Sequence, residues 1–242
     1  MMQEDFILKV EHLTKVFGSG KDRTVAVQDV SFQLKKGCCM GLIGESGSGK
    51  STTARIIAGL YPPTSGKITF FGKRMQMVFQ NPTKSFPPHM TILHAVCEGL
   101  RYCSDFSRHE IELRAMEALE MVQLGPEFAK RDRGELSGGQ LQRAAIARAI
   151  ISHPDLLLCD EVTSALDVSV QAQIIDLLQN LQKELNMTCL FISHDIALVS
   201  QICDEMIVMK SGIMVETGVP SQVIACPKED YTKLLIDSVP VL

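Results

Sequence analysis

Short, mostly apolar runs alternate along this chain with longer segments in which apolar residues recur every three or four positions. The short runs predict buried strands, and they occupy 40–43, 75–79, 156–159 and 188–192. The helical period predicts helices over 50–60, 91–123, 138–152 and 168–185. Strands that alternate with helices are typical of an α/β fold built on a parallel sheet.

The first 35 residues carry a different pattern, in which apolar and polar side chains alternate. The alternating stretches are 7–10, 25–27 and 30–34. They predict a β-rich N-terminal layer with a turn at Gly18-Ser19-Gly20. A further strand is predicted over 67–71. Near the C-terminus, 206–215 predicts a hairpin that turns at Ser211-Gly212, and a polar tail then leads to a short helix.

The composition is that of a globular protein. Of 242 residues, 45% are hydrophobic and 21% are charged, which suits one large α/β domain or a core with an inserted subdomain. No run approaches the roughly 20 apolar residues of a membrane span, and the acidic N-terminus differs from a secretory signal, so we expect a cytosolic chain. The net charge of −4 argues against a protein whose whole surface is built for nucleic acid, although it allows a local basic patch. The eight cysteines form no C-x-x-C pair and are predicted to be reduced, structural thiols.

One segment, 44–51, matches the pattern G-x-x-x-x-G-K-[ST]. Its glycines allow backbone N–H groups to converge on an anion, and its place before a predicted helix directs the helix macrodipole at that anion. Lys50 can reach the β- and γ-phosphates of a nucleotide, and the Ser51 hydroxyl can bind Mg²⁺. The alternative is a Gly/Ser-rich turn that fits the pattern by chance. The flanking strand and helix favour the phosphate loop.

Two carboxylates directly follow the apolar run at 156–159. The carboxyl ends of parallel strands line the sheet edge where α/β proteins bind ligands. Asp160 is predicted to hold Mg²⁺ through its water shell, and Glu161 to polarise a water as general base. His194 ends another buried strand and can hydrogen-bond a γ-phosphate. A lone His at a strand end is more often structural, but a sheet edge shared with Asp160 and Glu161 favours the functional interpretation.

Two further side chains have both a functional and a structural interpretation. Gln80 lies where a strand gives way to Asn81-Pro82. It can reach a Mg²⁺ or an attacking water, although an isolated Gln at such a junction is unremarkable. Phe17 precedes the phosphate loop in sequence, and a folded sheet can bring the two close together. Its ring can therefore face the base of a nucleotide. A packed hairpin Phe is the alternative.

The helical segment at 91–123 is predicted to be an inserted subdomain, in which Ser107 and Glu110 form a capping box. The subdomain ends in the segment 136–140, Leu-Ser-Gly-Gly-Gln, where Ser137 can cap an Ala-rich helix. Glycines at a helix start again describe an anion site. Because the chain already has one such site, this second half-site suggests a dimer.

With these motifs in this order, the chain resembles the nucleotide-binding subunit of an ABC transporter over nearly all of its length. The motifs are the phosphate loop, the Q-loop Gln80, the signature at 136–140, the Walker B pair Asp160-Glu161, the D-loop at 164–167 and the switch His194. The family implies a P-loop NTPase (RecA-like) α/β core with an N-terminal antiparallel β layer and an inserted α-helical subdomain. The implied single domain, 1–242, consists of the core (1–85 and 150–222), the helical insertion (86–149) and a short C-terminal tail (223–242).

The resemblance also implies a mechanism. Two such domains, like or unlike, close head to tail, so that ATP on one phosphate loop is capped by the partner subunit's Ser137 and Gly139. Glu161 then activates water, while His194 and Gln80 sense the γ-phosphate. Phe17 matches the ring that stacks on adenine. The residues implied for nucleotide binding are Phe17, Gly44, Glu45, Ser46, Gly47, Ser48, Gly49, Lys50, Ser51, Thr52, Ser137, Gly139 and Gln140, and those implied for Mg²⁺ are Ser51, Gln80 and Asp160.

A finer resemblance, in the segments 41–52, 76–82 and 231–240, is to the branch of the family that takes up peptides and nickel. Its ATPase subunits work at the cytoplasmic face of the cell membrane with two transmembrane permease subunits and, indirectly, with an extracytoplasmic substrate-binding protein. They do not act on nucleic acid. The branch imports dipeptides, oligopeptides, nickel and metal chelates, and the ATPase does not touch the cargo.

Three features of the sequence differ from what is usual in that branch, and two other functions are alternatives to transport. Val162 stands where Pro is usual, the segment between Phe71 and Met75 is short, and the tail lacks the usual His-Pro before Tyr231. A non-transport ABC ATPase of DNA repair or translation is the main alternative, which the lack of heptads before the signature disfavours. A module that binds nucleotide without hydrolysing it is opposed by Glu161 and His194.

Overall fold

The computed structural model describes residues 5–101 and 106–238. Within them, the strands are β1 (Phe6–Phe17), β2 (Thr24–Lys35), β3 (Cys39–Ile43), β4 (Ser65–Phe70), β5 (Met75–Val78), β6 (Leu156–Asp160), β7 (Thr188–Ser193), β8 (Glu205–Lys210) and β9 (Ile213–Gly218). The helices are α1 (Lys50–Ile57), α2 (Ile92–Cys97), α3 (Arg108–Met121), α4 (Gly138–Ile150), α5 (Val168–Glu184), α6 (Ile196–Ile202), α7 (Pro220–Ala225) and α8 (Asp230–Asp237). Cys103 and the end of the tail resemblance, Val239-Pro240, lie outside the described residues.

The chain folds into two compact units. One contains the described residues up to Lys73 and those from Thr188 onward, and the other runs from Arg74 to Met187. The domain limits expected from the sequence, with a helical insertion at 86–149, stay a prediction. None of the helices in the described ranges has both the length and the apolar character needed to cross a membrane.

The first unit contains an antiparallel sheet in the order β2-β1-β4. Leu8, Val10 and Leu13 of β1 are buried, and the intervening His12 has a positive φ of 51°. The register of β1 against both neighbours shifts there, so a bulge moves the inward face by one residue. The predicted N-terminal antiparallel layer is confirmed, with β4 as its third strand.

The second sheet portion of this unit has the order β7-β3-β8-β9. β3 runs parallel to β7 and β8, and β9 pairs antiparallel with β8. Every residue of β3 and β7 is buried, which explains their continuous apolar runs. β3 ends at Ile43 and delivers the chain directly into the glycine-rich loop.

Helix α1 ends at Ile57, three residues before the predicted end at position 60. Gly59 adopts a positive φ of 75°, and the N–H of Leu60 donates to the carbonyl of Arg55 at 2.8 Å. A left-handed glycine with such a backward hydrogen bond is a common helix terminator. The periodic pattern continued past this point, so the sequence prediction was too long.

The second unit pairs β5 with β6 in parallel, so that Val78 lies opposite Cys159. The predicted helical segment 91–123 is two helices, α2 and α3, rather than one. The capping box at the start of α3 is confirmed: Ser107 Oγ accepts from the N–H of Glu110 at 3.3 Å, and a Glu110 carboxylate oxygen accepts from the N–H of Ser107 at 2.7 Å. Because both helices bury apolar residues, the apolar periodicity alone does not reveal the interruption between α2 and α3.

None of the described cysteines is in a disulfide. Cys39, Cys159 and Cys189 are buried within strands, where a thiol packs as a small apolar group. Burial is the main cause that raises the pKa of the Cys38 and Cys97 thiols, so both are weak nucleophiles at neutral pH.

Candidate nucleotide-binding and hydrolysis site

The phosphate loop links the end of β3 to the start of α1 in the first unit. Its three glycines all have positive φ, and at two of them, Gly44 with 153° and Gly49 with 103°, a side chain would also find no room. A Cβ on Gly44 would overlap the carbonyl oxygen of Met209, and a Cβ on Gly49 would overlap that of Ala26. The N–H of Gly212 donates to the carbonyl of Ser48 at 2.9 Å, so the β8–β9 hairpin holds the loop from the side.

Lys50 is the first residue of α1 and is only 3% exposed. Its ammonium donates to the carbonyls of Gly44 and Glu45, at 2.6 and 2.8 Å, and lies 3.4 Å from Ser48 Oγ. The loop is thus wrapped around a buried cation at a helix N-terminus. Both the charge and the positive end of the helix macrodipole favour a bound anion.

Replacement of Gly49 by Ala is expected to lower the free energy of unfolding by about 3 kcal/mol, because Ala at φ 103° is strained and its Cβ overlaps the Ala26 carbonyl. Nucleotide affinity should fall with it. Gly59→Ala is the matched control. Its φ is 75° but no atom lies within 4 Å of an added Cβ, so a loss of about 1 kcal/mol is expected. Chemical denaturation measures the free energy of unfolding of both variants. Equal losses of stability would contradict the steric argument.

Phe17 is the last residue of β1 and is 37% exposed. Its ring makes an edge contact with Tyr61, with 5.6 Å between the ring centroids. The Lys15 ammonium lies 4.9 Å from the centroid of Phe17 and donates to the carbonyl of Pro62 at 2.6 Å. The ring is therefore accessible, as stacking on a base requires, rather than enclosed in the hairpin. Tyr61 and Lys15 were not predicted from the sequence.

The carboxylates lie at the end of β6 in the second unit. Asp160 is the last strand residue and is 1% exposed, while Glu161 follows with a left-handed φ of 49°. The Gln80 amide Nε2 donates to a Glu161 carboxylate oxygen at 2.8 Å and lies 3.4 Å from Ser164 Oγ. The structure therefore brings together the Q-loop, the Walker B carboxylate and the D-loop.

The turn after Glu161 is well bonded although Val162 replaces the usual Pro. The N–H of Ser164 donates to the Glu161 carbonyl at 3.2 Å, and the Ser164 hydroxyl donates to the same carbonyl at 3.0 Å. The Gln171 amide donates to the carbonyls of Thr163 and Leu166, both at 3.1 Å. Val162 itself is buried.

The loop after Gln80 is held by two arginines that the sequence did not mark as functional. Arg133 Nη1 donates to the carbonyls of Thr83 and Phe86, both at 2.8 Å. Arg148 donates to the Ser85 carbonyl and pairs with Glu98 at 3.1 Å. Both arginines flank the signature motif, but the loop groups that they bind are backbone carbonyls, which leave no sequence pattern.

The signature segment begins α4, and the predicted cap is confirmed. Ser137 Oγ accepts from the N–H of Gln140 at 3.3 Å, and the Gln140 side-chain oxygen accepts from the N–H of Ser137 at 2.9 Å. Ser137 is exposed. A Cβ on Gly139 would lie 2.6 Å from a methyl of Val170, so the glycine lets α5 approach the start of α4.

His194 follows β7 in the first unit and is exposed. The next residue, Asp195, caps α6 by accepting from the N–H groups of Ala197 and Leu198, at 2.8 and 3.3 Å. The cap fixes the backbone that carries the His194 side chain.

Comparison with known proteins identifies the family of this chain. The ABC transporter family model matches residues 27–164. A Bacillus subtilis protein that carries the name oligopeptide transport ATP-binding protein YkfD is 41% identical over 252 residues, which cover 97% of this chain and 77% of that protein. A Brucella ovis protein named as a peptide import ATP-binding protein is 41% identical over 254 residues, covering 99% of this chain and 80% of that protein.

Solved structures confirm the predicted fold class, a P-loop NTPase core of mixed α/β structure. The ATP-binding cassette MJ0796, a dimer in a post-hydrolysis state bound to ADP and Pi, is 31% identical with a TM-score of 0.79, over 88% of this chain and 98% of that one. CbiO1 from Clostridium perfringens, part of an ABC transporter complex, is 31% identical with a TM-score of 0.81, over 92% of each chain. As the order of its motifs predicts, this chain belongs to the ABC transporter family of ATP-binding proteins.

Proposed function

We propose that this chain is the ATP-hydrolysing subunit of a membrane importer and that its cargo is peptides. The observation that carries the proposal is the loop built around Lys50, whose buried ammonium stands at the start of α1 among the loop carbonyls. That arrangement fits the phosphates of ATP. The names of the relatives support peptides over nickel or metal chelates, which the sequence resemblance also allows.

The nucleotide is bound mainly by backbone and charge. In this proposal, the amides of 44–52 surround the phosphates, and the Lys50 ammonium neutralises charge on the β- and γ-phosphates. Phe17 stacks on adenine, which its exposed ring allows. Such stacking tolerates many bases because every base has a π face, so the loop provides most of the affinity and the ring orients the base.

Hydrolysis requires a base to receive a proton from the attacking water. Glu161 has that role in this proposal, and Gln80 orients it, since the two side chains are hydrogen-bonded at 2.8 Å. His194 contacts the γ-phosphate. The left-handed backbone at Glu161 is a strained conformation of the kind that persists where the surroundings fix it, often at functional sites.

Mg²⁺ is proposed to accompany ATP. Magnesium prefers hard oxygen ligands and is usually held by one or two carboxylates together with phosphates and water. The proposed protein ligands, Ser51, Gln80 and Asp160, offer a hydroxyl, an amide oxygen and a buried carboxylate, which fit that preference. When bound, the ion supplies positive charge that stabilises the reacting phosphates.

A second ATP-binding subunit, like or unlike, is proposed to complete the site in a head-to-tail dimer. Ser137 is exposed at the start of α4, and Gly139 lies in the first turn of that helix, so the signature N-terminus can face a phosphate on another chain. The dimeric structures of the cassette MJ0796 support a dimer. The chain then acts at the cytoplasmic face of the membrane on two permease subunits, with an extracytoplasmic substrate-binding protein as an indirect partner.

A tagged chain purified from detergent-solubilised membranes of its own cells is expected to carry two permease subunits and a second ATPase subunit. Native mass spectrometry measures the composition, and an untagged strain is the control. Recovery with soluble partners alone would reverse the transport proposal in favour of a non-transport ABC ATPase. The names of the relatives do not favour that alternative.

A further inference from the structure

Tyr231 connects the C-terminal tail to the phosphate loop. It is the second residue of α8 and is 7% exposed. Its hydroxyl accepts a hydrogen bond from the N–H of Glu45 at 3.0 Å. The two residues are 186 positions apart in sequence, yet both belong to the first compact unit.

The start of α8 is fixed on the sheet, so Tyr231 is not a loosely attached side chain. The Glu216 carboxylate on β9 accepts from the N–H groups of Lys228 and Glu229, at 3.0 and 3.2 Å. Burial raises the pKa of Glu216, but these hydrogen bonds help to outweigh it and the pKa lies below its ordinary value. The Lys210 ammonium lies 4.8 Å from the centre of the Tyr231 ring, a cation–π contact.

Tyr231 and Lys50 form hydrogen bonds to the same peptide group, the one between Gly44 and Glu45. The N–H of Glu45 and the carbonyl of Gly44 belong to a single planar peptide unit. Tyr231 accepts from the N–H at 3.0 Å, and Lys50 donates to the carbonyl at 2.6 Å. Rotation of this peptide plane would break both hydrogen bonds together, so the tail hydroxyl and the loop cation fix the same element from opposite sides.

We propose that Tyr231 is a positioning residue of the nucleotide site: its hydroxyl sets the Gly44-Glu45 peptide plane and, through it, the place of the Lys50 ammonium. The inference rests on the proposed function, in which Lys50 binds phosphates. It makes α8 part of the nucleotide site through the backbone of the phosphate loop.

The test is Tyr231→Phe in the full-length chain, which removes the hydroxyl and keeps the buried ring. The Kd for MgADP, measured by calorimetry, is expected to rise about threefold to tenfold, the effect of one lost hydrogen bond. In the nucleotide-free protein, the amide proton of Glu45 is expected to exchange with solvent faster, as measured by NMR. Leu235→Ala is the matched control, because it removes a buried side chain from the same helix and leaves the hydroxyl. It should lower stability and leave the Kd of the folded protein unchanged.

The outcomes separate this inference from the function it rests on. Wild-type protein that does not bind MgADP would overturn the proposed function, and the inference with it. Wild-type protein that binds, with Tyr231→Phe equal to it in Kd and in Glu45 exchange, would overturn the inference alone. Equal weakening of MgADP binding by Leu235→Ala would also overturn it, because the effect would then come from helix packing rather than from the hydroxyl.

Discussion

Glu161→Gln is expected to slow ATP hydrolysis by about a hundredfold to ten-thousandfold, the usual contribution of a general base. An amide has nearly the shape of the carboxylate but cannot take the proton of the attacking water. The Gln80 amide, at 2.8 Å from the carboxylate, can still donate to the new side-chain oxygen, so the loop should keep its form. ATP should bind within about twofold of the wild-type affinity, because the base acts on the attacking water and is not needed to bind ATP before the reaction.

The rate is best measured in a single turnover with enzyme in excess, which excludes product release. Glu184→Gln is the matched control, since it makes the same chemical change at an exposed position at the end of α5. Its rate should equal that of wild type. Unchanged single-turnover hydrolysis in Glu161→Gln would contradict the general-base role and leave the nucleotide-binding role standing.

The elements around the phosphate loop could be predicted from the sequence because their causes are local. β3 and β7 are buried on both faces, so nearly every residue must be apolar. The cap at Ser137 depends on a side chain three residues away, which sequence spacing shows directly. The glycines of the loop mark backbone angles that other residues rarely adopt.

Other features could not be predicted, because they depend on contacts between distant parts of the chain. Arg133 and Arg148 reach loop carbonyls about 50 and 63 positions away, and Tyr231 reaches the Glu45 amide from 186 positions away. In each case one partner of the hydrogen bond is a backbone group. Because the backbone is the same for nearly all residue types, the sequence does not show which group is bound. The left-handed φ of Glu161 is likewise set by the surrounding turn, since the side chain itself disfavours it.

Lys50→Met is expected to weaken MgATP binding by about a hundredfold, because the variant keeps the aliphatic stem and loses the charge that pairs with two phosphate groups. The wild-type ammonium is already buried among the carbonyls of Gly44 and Glu45, so binding requires only that it exchange these neutral acceptors for phosphate oxygens. That exchange is favourable because a charged acceptor makes the stronger hydrogen bond. Calorimetric titration of the full-length chain measures the affinity.

Lys67→Met makes the same chemical change on the exposed surface of β4 in the same unit and should bind MgATP with wild-type affinity, since surface charges are screened by salt. The salt dependence gives a second measurement: raising the ionic strength should reduce the affinity of wild type and Lys67→Met in parallel, and that of Lys50→Met less. If Lys50→Met bound MgATP within about twofold of wild type, the backbone amides alone would account for phosphate binding, and the buried ammonium would be a structural cation of the loop rather than a ligand of the nucleotide.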